Sequence, residues 1–182
     1  MFKVSILDLG LSQIYLNQRK MNDIKQWFEP KEIDKYDPLP VFDFGNNRLT
    51  LTDGHSRAYV AYTYGIKDIY VKMDNDDIVT CELGQKQYKI DIEWCRRFSI
   101  YNIADLSTRI VSDDEYQRLW IQRCERMHNL ITSLDIDRIR YAKEKVQDMF
   151  LYGSNDDLSI FYFEDCNGVL YKLINGHIEC EK

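Results

Sequence analysis

Thr52-Asp53-Gly54-His55-Ser56-Arg57 joins a strand to a helix, and the reading of the chain starts there. The run before it, Arg48-Leu49-Thr50-Leu51-Thr52, alternates polar and apolar residues as a strand does. The run after it, Ala58 to Tyr64, contains no breaker and stops at Gly65, a common C-terminal signal of helices. Gly54 has no side chain to hold a ligand off the backbone. The first N–H groups of a helix lack intrahelical partners and carry partial positive charge, so an anion such as phosphate suits that place. Arg57 adds a planar fork that matches phosphate oxygens. The sequence therefore offers a small phosphate-binding site, without a complete catalytic apparatus around it.

The 182 residues are 45% hydrophobic and 30% charged, which is enough apolar material for one globular core with an appendage. Eight glycines and three prolines leave little room for long disordered linkers. No apolar run approaches the ~20 residues that span a bilayer, so no membrane role is expected. The opening Met1-Phe2-Lys3-Val4-Ser5-Ile6-Leu7-Asp8 meets charge too early for a signal peptide. Five cysteines, at 81, 95, 124, 166 and 180, form no C-x-x-C pair. They read as reduced thiols in a cytoplasmic protein, with no disulfide frame and no metal site.

Charge is unevenly spread. Residues 1–73 carry 10 basic and 9 acidic side chains, whereas residues 74–182 carry 14 and 21. An acidic body argues against a large duplex-DNA footprint, because that affinity comes from neutralising phosphates.

Hydrophobic patterning divides the chain in three. Residues 1–73 read as a mixed module: a strand over Phe2–Leu7, a helix over Met21–Phe28 and strands over Pro40–Phe44 and Arg48–Thr52. The last two flank a Gly45-Asn46-Asn47 turn; the Gly54 helix and a strand over Ile69–Met73 follow. Residues 74–153 read as a mainly helical extension. Its helices are expected over 85–98, 102–110, after the Ser112-Asp113-Asp114-Glu115 capping box, and over 135–150 with Gly153 as the stop. Residues 154–182 read as a β-hairpin tail: Leu158–Phe163, a turn at Asp165-Cys166-Asn167-Gly168, Val169–Ile174, then the Asn175-Gly176 turn and a final short strand. The fold class expected is α+β.

Leu51-Thr52-Asp53-Gly54-His55-Ser56-Arg57-Ala58-Tyr59-Val60-Ala61-Tyr62 resembles the G-x-x-R helix start of the ParB/sulfiredoxin superfamily. Ile14 to Lys20, Pro38 to Phe42 and Gly65 to Val71 fit the same order, so the resemblance covers roughly residues 3–73. The remainder looks like the helical extension of bacterial ParB-like proteins. The resemblance implies a ParB/sulfiredoxin-like mixed-sheet module that binds ATP, ADP or CTP, with Mg²⁺, on the Gly54 loop. One superfamily hosts several functions. Sulfiredoxins place a reactive Cys just after the Gly, where this chain has His55. Partition proteins add a helix-turn-helix DNA reader, which the acidic helices here do not display. Serine kinases of the superfamily use a Glu near the first strand–helix junction, where this chain has Asn17-Gln18-Arg19.

Each candidate residue has two readings. Asp53 could hold Mg²⁺ or act as a general base, or it could simply cap the helix. His55 could touch phosphate and shuttle a proton, or sit as a satisfied histidine. Arg57 could clamp phosphate or pair with an acidic neighbour. Thr52, Gly54 and Ser56 complete the expected nucleotide-binding loop, and by the resemblance Arg19 and Lys20 approach the same phosphates. Asp74-Asn75-Asp76-Asp77 lacks the Gly and Glu of a calcium loop and reads as a solvated cap for the next helix. Two functions follow as expectations. One is a nucleotide-binding protein, as a phosphotransferase or nucleoside triphosphatase if it is an enzyme, with Asp53 and His55 supplying the chemistry. The other is a non-enzymatic module whose acidic part meets a protein partner, or an accessory to DNA partition. The second substrate stays open.

Overall fold

The computed structural model describes residues 1–45 and 47–181. They divide into two compact units, Met1–Tyr116 and Gln117–Lys182. The fold is mixed α+β.

In the first unit, β1 (Phe2–Ser5), β3 (Leu39–Asp43), β4 (Leu49–Leu51) and β5 (Asp68–Met73) form one sheet in the order β1-β5-β3-β4. The β3–β5 pair is parallel, and the flanking pairs are antiparallel. Alternation makes the strands: Leu39 and Val41 on β3, and Ile69 and Val71 on β5, turn inward. The expected β3–β4 hairpin is present in register Val41↔Leu51, while the turn assigned to Gly45-Asn46-Asn47 depends on Asn46, outside the described residues. A short parallel pair joins β2 (Leu16–Asn17) to β6 (Ile110–Val111).

Helix α1 spans Gln18–Trp27, starting three residues before the expected Met21. The reason is Asn17, whose side chain accepts the Lys20 N–H at 2.9 Å and caps the helix there. Helix α2, His55–Thr63, is buried over most of its surface, with Ala58, Val60 and Ala61 fully enclosed. It packs against α1 and against a 3₁₀ segment at Ile103–Thr108. The small alanines let these elements close on it. Asp76 caps the short α3 (Asp77–Thr80) through the Ile78 N–H, as the capping reading of the acidic loop expects. Helix α4 (Glu82–Arg97) then sets Ile92, Trp94 and Cys95 into the core. The Ser112–Glu115 capping box forms, with Glu115 N–H donating to Ser112 Oγ and Ser112 N–H to the Glu115 carboxylate, at the start of α5 (Asp113–Tyr116).

The second unit opens with a π-helical turn, Gln117–Ile121, and α6 (Gln122–Thr132). Helix α7 covers Ile136–Lys145, shorter than the expected 135–150. Phe150 and Gly153 belong instead to β7 (Phe150–Ser154). Gly153 is no helix stop. A Cβ there would lie 2.5 Å from Arg126 Cβ, so the missing side chain is what lets α6 lie directly on the strand. The aromatic residues Phe150 and Tyr152 favour the pleated surface. To the three strands expected in the tail the structure adds β7. With β8 (Ile160–Glu164), β9 (Leu170–Ile174) and β10 (His177–Cys180) it makes a four-stranded antiparallel meander. The hairpin expected at Asn175-Gly176 joins its last two strands, with both turn residues at positive φ. Phe161, Phe163, Leu158 and Leu173 face Ala142 and Val146 of the α7 segment to form this unit's core.

No helix among the described residues is long and apolar enough to cross a membrane. All five cysteines are free thiols, with Cys95 buried and Cys81, Cys166 and Cys180 exposed.

Candidate functional site

Strand β4 delivers the chain to the N-terminus of α2. Thr52 N–H donates to Pro40 O, and the Thr52 hydroxyl donates to Asp74 Oδ2 at 2.5 Å. Tyr88, from α4, donates its hydroxyl to Thr52 O at 3.3 Å. Thr52 is thus held by β3, by the loop after β5 and by α4.

The turn itself is Gly54, at φ 79° and ψ 15°, which is left-handed geometry that suits glycine. Gly54 is the N-cap residue, and no side chain caps the helix. Asp53 therefore does not play the capping role considered for it. Its Oδ1 accepts the N–H of the adjacent Gly54 at 2.6 Å, outside the helix. The N–H groups of His55 and Ser56 have no hydrogen-bond partner among the described residues, and Ala58 N–H makes the first intrahelical bond, to Gly54 O. The opening of α2 is an uncapped positive dipole end.

Arg57 reaches back over this opening. Its Nη2 lies 3.9 Å from the position a Gly54 Cβ would occupy. Among the described residues the guanidinium makes no ion pair, so the salt-bridge reading of Arg57 does not hold. Burial lowers its pKa somewhat, and the carboxylates of Asp37 and Asp53 act in the opposite direction. It remains a cation at neutral pH.

His55 occupies a different environment. The ring is buried, and its Nε2 accepts the backbone N–H of Ser12 at 3.2 Å, with Ser12 Oγ at 3.5 Å. Burial pushes its pKa down to about 4, against a smaller raising effect from Asp53 and with a further lowering from Lys20. The imidazole is neutral at pH 7 and ties the loop after β1 to the start of α2. This is the satisfied-histidine reading.

The two basic candidates separate. Lys20 is close enough for its charge to act on the His55 ring. Arg19 turns to Asp113, 3.4 Å away, in an exposed pair beside the Asn17 cap. Ser56 is buried in the first turn of α2.

Two residues of the site were not singled out from the sequence. Tyr88 lies among Asp91, Asp74, Asp53 and Asp76, and burial together with those carboxylates pushes its phenol up to about 12. It stays a proton donor at any ordinary pH. Its signal was readable, because Tyr88 precedes Ile92 by four residues on the inward face of α4. Ser12 gave none; its contact with His55 spans 43 residues.

Among the described residues no group of three or more His, Cys, Asp or Glu side chains could hold a metal ion. A Mg²⁺ ion that arrives with a nucleotide needs only one or two carboxylates beside the phosphates and water, and exposed Asp53 meets that lesser demand. Comparisons with protein-family models, with curated proteins and with solved structures give no match to this chain.

Proposed function

We propose that the first unit is a ParB/sulfiredoxin-type module that binds the phosphates of a nucleotide at the N-terminus of α2. The observation that carries this reading is the uncapped helix opening beneath an unpaired Arg57, with Gly54 at positive φ leaving the backbone bare. Backbone N–H groups of His55 and Ser56 would take phosphate oxygens, and Arg57 would clamp them from the side. Lys20 adds long-range positive charge. Mg²⁺ would be shared between Asp53 and the phosphates, neutralising charge that the two cations leave over. Phosphoryl transfer rests largely on such positioning and neutralisation, so a phosphotransferase or nucleoside triphosphatase fits this site.

A second reading, nucleotide binding without catalysis, is favoured by the state of His55. Its Nε2 is occupied by Ser12, and its low pKa removes it as an acid near neutrality. Asp53 is then the sole proton acceptor among the loop residues expected to supply chemistry.

Calorimetric titration of ATP, ADP and CTP, each with Mg²⁺, into the wild type and Arg57→Ala tests the proposal. Micromolar binding of at least one nucleotide, lost in an Arg57→Ala variant that still melts cooperatively, is the expected result. Binding of none of the three would overturn it.

A further inference from the structure

Strand β10 is an outer edge of the four-stranded sheet in the second unit, and His177, Ile178, Glu179 and Cys180 are all exposed. The hydrogen-bond pattern decides which backbone groups this edge offers. Glu181 N–H donates to Leu170 O at 2.7 Å, so 181 and 170 form a hydrogen-bonded pair. In an antiparallel ladder such pairs alternate with non-hydrogen-bonded ones, which assigns Glu179–Lys172 and His177–Ile174 to the first kind. The N–H and C=O groups of Ile178 and Cys180 therefore point away from β9. Among the described residues they have no partner.

Open edges are commonly guarded by a lysine, a proline or a bulge. The edge strand β1 of the first unit carries Lys3. Strand β10 has none of the three, and it pairs with β9 without a register shift.

The side chains of β10 divide by face. Ile178 and Cys180 lie opposite Leu173 and Tyr171, on the face that carries the core of this unit. Ile178 is nonetheless 47% exposed, because no strand follows beside it. His177 and Glu179 occupy the other face. A strand laid antiparallel along β10 would continue the core beyond Ile178 and would meet His177 and Glu179 on the reverse side.

We propose that this edge pairs with β10 of a second copy of the chain, antiparallel about a twofold axis at Ile178. Each Ile178 then exchanges both N–H···O bonds with its copy, and the two side chains meet on the core face. His177 falls directly opposite Glu179 of the copy, twice by symmetry, at a close non-hydrogen-bonded position. The imidazole donates there to the carboxylate. An axis at Glu179 keeps the backbone bonds but sets two carboxylates face to face, and an axis at Cys180 opposes Glu179 and Glu181. An axis at His177 loses the imidazole–carboxylate contact. Both members of each complementary pair stand on β10 itself, which favours a second copy over an unrelated peptide. So short a strand buries little area, so the dimer is weak. Pairing consumes β10 on both copies, and assembly stops at two.

Sedimentation equilibrium of the full chain across a concentration series tests this, with reductant present so that the exposed Cys166 and Cys180 stay thiols. The weight-average mass should rise from 21.8 kDa and level at twice that value. Amide exchange at Ile178 should slow as the protein concentration rises. Ile178→Pro deletes an N–H that the fold does not use, and should leave a monomer that still melts cooperatively. His177→Glu should weaken the dimer by about fivefold and His177→Lys should tighten it by a like factor, because each alters two cross-strand pairs. Should Ile178→Pro fail to melt cooperatively, the His177 variants and the Ile178 exchange decide the matter. The proposal is overturned by a monomer at every concentration, by a dimer that survives Ile178→Pro, or by growth beyond two copies. It is equally overturned if His177→Glu and His177→Lys leave association unchanged or move it in the same direction.

Discussion

The two units bury polar groups by opposite means. In the first, His55 is enclosed as a neutral ring whose Nε2 accepts one backbone N–H. In the second, Arg123 and Glu164 are enclosed as a charged pair 2.7 Å apart, both almost without solvent exposure. Arg123 also stacks 4.4 Å from the centre of the Tyr152 ring, while Glu164 Oε1 has no partner among the described residues. A group that surrenders its charge makes folding sensitive to acid. A group that keeps its charge makes folding sensitive to loss of the partner, because the surviving ion is stranded. The first unit should therefore yield to pH and the second to truncation.

The largest effect expected is on the second unit. Glu164→Ala leaves the Arg123 guanidinium buried without its carboxylate and should cost about 3–5 kcal/mol. Urea denaturation followed by tyrosine and tryptophan fluorescence reads this as a shifted transition. A cost under about 1 kcal/mol would mean that the Tyr152 ring and water support the cation, and the comparison would fail on that side.

Acid tests the first unit. The His55 pKa is about 4 in the folded protein against 6.5 in the unfolded chain. Below pH 6.5 the unfolded chain takes up a proton that the folded ring refuses. Stability is therefore complete above pH 6.5 and is lost progressively as pH falls toward 4. The shift corresponds to about 3 kcal/mol. His55→Gln keeps an acceptor for the Ser12 N–H and does not titrate. Denaturation curves at pH 7, 5.5 and 4 should show this loss in the wild type and a shallower one in the variant. Parallel curves would mean that His55 is not the group responsible.

Glycine separates the units in a smaller way. Gly153→Ala in the second unit puts a methyl group 2.5 Å from Arg126 Cβ and 2.8 Å from its carbonyl carbon, so α6 must move. Overpacking of this kind costs about 1–3 kcal/mol. A melting temperature unchanged from wild type would show that α6 has slack to give.

Gly153 also shows where the sequence was readable. A glycine after a helical stripe looks like a helix stop, and the helical period of residues 135–149 was plain. What the pattern could not display was α6 bearing on that backbone from more than twenty residues away. Elements with a local cause were legible: the strand alternation of β3 and β5, the Ser112–Glu115 cap and the Asn175-Gly176 turn. Around Gly54 the same division holds. The strand-to-helix switch, the turn glycine and the position of Arg57 are local and were read from the chain. The roles of Asp53 and His55 depend on tertiary partners. Asp53 bonds the adjacent Gly54 N–H, so the helix N–H groups stay open. His55 meets Ser12 across 43 residues, and no local pattern predicts that contact.

The smallest effect expected on stability is also the sharpest on function. Arg57 has no ion pair among the described residues, and its charge is partly desolvated. Truncating it removes no bond that the fold uses. Arg57→Ala should change unfolding free energy by no more than about 0.5 kcal/mol. Structural arginines behave otherwise: Arg123 is buried against Glu164, and Arg126 is locked to Glu181. A side chain that the fold does not need, held over a bare helix terminus, is what an anion site requires. Equal melting of wild type and Arg57→Ala, together with loss of nucleotide binding in the variant, separates a ligand role from a structural one. A destabilisation above about 2 kcal/mol would instead place Arg57 among the arginines that hold the fold.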